Sequence, residues 1–101
     1  METSPPIMNE DNVRNITEAI IAKLLKKNED YGSASFDLGL NGNMVHLWDK
    51  VKRYRTLVEK LQLESTLPNF ESIKDTLDDI IGYAIIGLII FEREKQLTNK
   101  L

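Results

Sequence analysis

The chain has no cysteine, a single histidine and no excess of positive charge. Without cysteine there can be no disulfide, no thiolate zinc site and no cysteine nucleophile, a pattern that fits an intracellular setting without requiring one. One histidine, His46, cannot by itself build a metal cluster or a catalytic triad, and it reads as an ordinary residue near a helix start. Ser33, Ser35 and Ser65 have no base beside them, and Gly39 and Gly42 lack the Lys-Ser/Thr pair that would complete a phosphate-binding loop. With 13 Lys+Arg against 16 Asp+Glu, the formal net charge of -3 is too weak to argue for general binding to nucleic acid or acidic membranes. Met1–Pro6 has neither a positive n-region nor an apolar h-region, so no signal peptide is expected, and residues 1–8 read as a flexible tail. The most apolar run, Ile80 to Phe91, is twelve residues long, short of the ~20 that a membrane helix needs. It is expected to be a buried core helix, with no membrane partner.

What is present points to an all-α protein. A chain of 101 residues has room for one domain, placed here at residues 9–98. From about Asn9 to Lys27, Val13, Ile16, Ile20 and Leu24 recur at three- and four-residue steps, which predicts a first amphipathic helix. Lys26 and Lys27 suit its C-terminus. Between Glu29 and Asn43, the glycines, the serines and the turn dipeptide Asn41-Gly42 predict a long irregular connection. Phe36, Leu38 and Leu40 alternate, which would also suit a short extended piece.

A second helix is expected from Met44 to Leu63, N-capped by Asn43, with Leu47, Val51, Tyr54, Val58 and Leu61 inward and Asp49 and Arg53 turned away. Pro68 interrupts the chain, Asn69 is the expected N-cap of a third helix, and that helix continues through Ile80 and Leu88 to about Leu97. So small a helical domain buries little of its surface, and the bundle is expected to be completed by a second copy, as a homo-oligomer.

The charged residues of these helices suggest chemistry. Glu71, Asp75 and Asp79 are spaced four apart, with Asp78 on the same side, so four acids share a ridge of helix three. Acids near a helix N-terminus are explained by the dipole alone, but Asp79 lies too far along the helix for that. Like charges at this spacing need a positive group between them, either a divalent cation or lysine and arginine. Asp75 and Asp79 suit Mg²⁺ or Mn²⁺, hard cations that take oxygen ligands. In helix two, Lys50 and Arg53 are candidates for phosphate oxygens. An i,i+4 pair between Asp49 and Arg53 is the plainer alternative. One short basic stretch in an acidic chain argues against nucleic acid as the partner.

The segment Lys27-Asn28-Glu29-Asp30-Tyr31-Gly32, then Trp48-Asp49-Lys50 with Arg53, then Asp75-Thr76-Leu77-Asp78-Asp79 with Tyr83, resembles the family called nucleotide modification associated domain 1. That resemblance implies kinship with phage proteins and with the all-α nucleoside triphosphate pyrophosphohydrolases of the MazG type. By it, Asp75 and Asp79 would be metal ligands and, with Asp49, catalytic acids. Lys50 and Arg53 would contact phosphates, Asp30 and Tyr31 would be loop contacts, and Tyr83 would orient Asp79 or line the base pocket. The sequence departs from the MazG pattern at helix two, where two glutamates spaced three apart are replaced by Asp49 alone.

The function these readings imply is a nucleotide-binding, metal-dependent pyrophosphohydrolase-like protein of the cytoplasm, that of the host cell if a phage encodes it. The alternative is a non-catalytic phage protein that sequesters a nucleotide signal or inhibits a host protein.

Overall fold

The computed structural model describes residues 5–63 and 70–99, apart from the side chains at 31, 33 and 35. These residues form three α-helices and one short 3₁₀ helix, with no strand among them. Helix α1, Glu10–Tyr31, is capped by Asn9, whose side chain accepts from the Asn12 backbone amide at 2.8 Å and so satisfies an amide left open in the first turn. It ends at Gly32, whose φ of 57° lies in the left-handed region that glycine enters without cost. A 3₁₀ helix, Gly32–Phe36, follows directly. Helix α2, Gly39–Leu63, and helix α3, Phe70–Asn99, complete the chain. The expected break at Pro68 and the cap at Asn69 lie outside the described residues.

The three-helix, all-α class is as the sequence implies, but the long connection is not. Helix α1 continues a full turn past Lys27, and α2 begins five residues earlier than Met44, so only Asp37 and Leu38 lie between the helical segments. Gly39, with φ 62°, makes the turn into α2. Asn41 and Gly42 then lie within the first turn, where the Gly42 amide donates to the Leu38 carbonyl at 3.2 Å. Asn43 is therefore not an N-cap. It is a buried residue on the inner face of α2, and its Nδ2 donates to the Tyr83 carbonyl of α3 at 2.7 Å.

Helix α3 is the shared element, because α1 and α2 each pack against it. Helix α2 lies antiparallel to α3, with Asn43 at Tyr83, Lys50 at Asp79 and Arg53 at Thr76. Helix α1 runs the other way, alongside α3 in register, with Lys23 at Asp75 and Lys27 at Asp79. Leu24 faces Gly82, where a Cβ would stand at an ordinary contact distance of 3.4 Å.

Ile80 to Phe91 is not a buried core helix in this chain. Ile86 and Ile90 are buried, whereas Leu88, Ile89 and Phe91 are exposed. Ile20 is the only other hydrophobic residue that is buried among the described ones. Val51, expected inward, is 44% exposed because Asn43, Leu47, Lys50 and Tyr54 form the inner edge of α2 instead. Among the described residues, no helix is long and apolar enough to cross a membrane.

The contact between α2 and α3 depends on a small residue at Gly87. A Cβ there would stand 2.5 Å from Oδ1 of Asn43, which cannot swing aside without leaving Tyr83. Gly87→Ala should gain about 1 kcal/mol of helix propensity and lose ~1–3 kcal/mol to overpacking, for a net loss of stability. Gly82→Ala, whose Cβ would meet Leu24 at 3.4 Å, should be neutral or stabilising. Thermal unfolding of the two variants checks the contrast.

Candidate functional site

Because α1 and α2 both pack on α3, a cleft of about 210 Å³ lies between them with α3 as its floor. Ile20, Lys23, Leu24 and Lys27 come from α1, Lys50 from α2, and Asp78, Asp79, Gly82, Tyr83 and Ile86 from α3. One end of the cleft is therefore charged and the other apolar. This follows from α3 itself, which changes from Asp75-Thr76-Leu77-Asp78-Asp79 to an apolar run within two turns.

The three aspartates of the acidic ridge are neutralised by lysine, whereas Glu71 is exposed. Lys27 donates to Asp79 at 2.7 Å, and Lys50 approaches the other oxygen of the same carboxylate at 3.2 Å. Lys23 bridges Asp75 and Asp78, at 3.2 Å each, and Lys74 reaches Asp78 from one turn before it at 2.8 Å. Lys23 and Lys27 are spaced four apart on α1, as are Asp75 and Asp79 on α3, so two parallel helices present matching ladders.

Burial works against the charge of Asp78, but hydrogen bonds from Lys74 and Lys23 outweigh it and hold the carboxyl below the ordinary aspartate value. Burial also opposes the charge of Asp79, and Lys27 and Lys50 lower that carboxyl in the same way. Lys23, despite partial burial, is raised above the usual lysine value by Asp75 and Asp78.

The residues singled out from the sequence divide into two groups. Asp75, Asp79, Lys50 and Tyr83 converge on α3 or face it across the cleft. Asp49 is exposed and has no ion pair among the described residues, as its place on the polar side of α2 implies. Nor does it pair with Arg53, whose Nε instead donates to Thr76 Oγ1 at 3.3 Å. Thr76 is the most deeply buried of the described side chains, 2% exposed, and its hydroxyl donates to the Ser72 carbonyl at 2.7 Å. Arg53 thus closes a helix–helix contact next to the cleft. Asp30 is exposed in the last turn of α1 rather than on a loop. Tyr31 ends the same helix, and its side chain lies outside the described residues. His46 lies two turns into α2 rather than near its start, and its ring stacks on Tyr83 at 5.1 Å between centroids and 8° between planes.

Residues 27–91 match the family described as nucleotide modification associated domain 1. The chain belongs to this family. No curated protein and no solved structure matches it significantly. The family span takes in Lys27, Lys50 and the whole acidic ridge, while Ile20, Lys23 and Leu24 lie ahead of it, so α1 supplies part of the cleft from outside the span.

Lys23 and Lys27 are the site residues that pattern reading missed. Their signal is the shared spacing of four, visible only once α1 is set parallel to α3. For Mg²⁺ or Mn²⁺ the carboxylates are suitable donors, and in this structure each carries an ammonium group.

Asp78 and Asp79 bind their protons less tightly folded than unfolded, so their stabilisation is present above about pH 4 and lost as pH falls through their lowered values. Lys23 acts in the opposite sense, its share being complete below about pH 10.5 and lost as pH rises past its raised value. Asp79→Asn should cost about 1 kcal/mol at pH 7, a value kept small because Lys27 and Lys50 are partly in water. The melting curves of variant and parent, taken at one protein concentration, should converge as pH falls through the lowered value of Asp79. A gap that persists once that carboxyl is fully protonated would rule out the ion pairs as its source.

Proposed function

We propose that the protein binds a nucleotide in the cleft between α1 and α2, with its phosphates at the charged end and its base or sugar over the apolar end. The observation that carries this reading is the convergence of Lys23, Lys27 and Lys50 beside an apolar floor walled by Tyr83. An ammonium has three N–H donors, and Lys27 and Lys50 each spend one on Asp79. Donors remain for phosphate oxygens. Ile20, Leu24 and Ile86 offer the apolar surface that a base needs, and the Tyr83 ring, backed by His46, offers a face for stacking. Membership of a nucleotide-associated family supports the same ligand class.

Between capture and hydrolysis, the lysines on the aspartates favour capture, as in a phage protein that sequesters a nucleotide. Metal-dependent release of pyrophosphate, the activity that the resemblance to MazG-type enzymes implies, is the second reading. It is favoured by three α3 carboxylates within five residues of sequence, and it requires the lysines to leave them.

Thermal unfolding against nucleoside triphosphates and cyclic nucleotides, with and without Mg²⁺ or Mn²⁺, tests both readings. A ligand at about 100 times its dissociation constant adds about 2.7 kcal/mol, which for a domain of this size raises the midpoint by roughly 10 °C or more. We expect such a shift without added metal, and its loss in Lys50→Gln. Pyrophosphate appearing only with a divalent cation, and abolished in Asp79→Asn, would replace capture by hydrolysis. If no nucleotide moves the midpoint, the cleft is not a nucleotide site.

A further inference from the structure

Helix α3 is apolar on two opposite sides. Its inner side, through Thr76, Gly82, Ile86 and Ile90, is buried by α1 and α2. At ~100° per residue, Leu77, Ile81, Ala84, Leu88 and Phe91 fall on the side facing away, and all five are exposed. Their spacing of four, three, four, three is that of a coiled-coil seam, and Phe70 extends it by one heptad. A helix that only had to cover its own domain would be polar there. Leu88 is 64% exposed and Phe91 48%, too much apolar surface along one line to leave in water.

The area involved points to what covers it. The chain exposes 8617 Å², against about 5,800 Å² expected for a compact monomer of this mass. Its radius of gyration of 16.8 Å also exceeds the ~13 Å of a compact domain of this length. The excess, roughly 2,800 Å², is several times the ~800 Å² that each partner gives up in a standard interface. With so few buried hydrophobic residues of its own, the fold needs an occupant present whenever the chain is, and another copy meets that condition.

We propose that the outer side of α3 is a self-association surface, on which α3 of a second copy packs about a two-fold axis at Ala84. Leu77 and Phe91 stand seven residues to either side of it, and Ile81 and Leu88 stand three before and four after, so the apolar residues are nearly balanced about that point. In an antiparallel pair Ile81 meets Leu88 and Leu77 meets Phe91, while Ala84, the smallest member, sets the close approach at the axis. This surface lies opposite the cleft, so association leaves the cleft open and stands or falls independently of nucleotide binding.

The absence of native cysteine makes the test clean. In sedimentation equilibrium at micromolar concentration the parent chain should be a dimer or a larger assembly built from such pairs. Leu88→Glu should weaken association by about a hundredfold or more, because the axis repeats the loss in both copies. Since that variant also risks unfolding, Ala84→Cys provides a second reading under mild oxidation. It should give a covalent dimer in high yield, because a disulfide requires α-carbons within about 7 Å. Glu18→Cys, on the exposed side of α1, should not. A monomeric parent overturns the proposal. So does equal cross-linking at positions 18 and 84, or an assembly in which Ala84→Cys fails to cross-link.

Discussion

Helix α1 is held to the rest of the molecule by charge to a degree unusual for so short a chain. Its apolar stripe runs Val13, Ile16, Ile20 and Leu24, but only Ile20 is buried, and the first half of the stripe is exposed. Lys23 and Lys27 therefore matter to where α1 sits. Three aspartates within five residues of α3 would repel one another by a few tenths of a kcal/mol per pair if left alone, and opposing lysines convert that repulsion into attachment. Both helices repeat every four residues and run in the same direction, so the two rungs are in step. A slip of one residue would break both rungs. Partly exposed pairs are individually weak, and their value here lies in fixing register more than in adding stability.

That attachment decides where the cleft lies. Helix α2 is placed independently by Asn43 at Tyr83 and by Arg53 at Thr76, contacts that do not involve α1. Lys50 is where the two arrangements meet, because it shares Asp79 with Lys27. One half-buried carboxylate thus receives an ammonium from each neighbouring helix. The floor beyond it is lined by Gly82 and Ile86, where α3 is too apolar to hold water well. Charge at one end and hydrocarbon at the other is the consequence of a single change in sequence character between Asp79 and Ile80.

Helical class and the acidic ridge were legible from residue spacing, since a period of 3.6 fixes which side chains share a face. What neutralises the ridge was not, because spacing along one helix is silent about its neighbour. Metal and lysine both satisfy the spacing, and which lysines reach the ridge is visible only once α1 and α2 are set against α3. Asn41-Gly42 suggested a turn from local preference, and Gly39 supplied the turn instead, leaving the dipeptide free to join α2. Asn43 was misplaced for the same reason, since once α2 starts at Gly39 it faces α3 and not a helix end. The run from Ile80 to Phe91 misled in another way. Apolar character shows that a side must be covered, but it does not say whether the cover comes from the same chain.

On the proposed reading, the aspartates serve the lysines more than any ion. A free lysine side chain loses up to ~2 kcal/mol of rotamer entropy when a ligand fixes it. Lys27 and Lys50 are already fixed on Asp79, so a phosphate arriving beside them would not have to supply that ordering again. The cost is partial cancellation of charge, since the acids reduce the pull that the lysines exert on an anion at a distance. A cleft built this way trades long-range attraction for a preformed set of donors. That trade suits a ligand recognised by its whole shape, base and phosphate together, better than one recognised by charge alone.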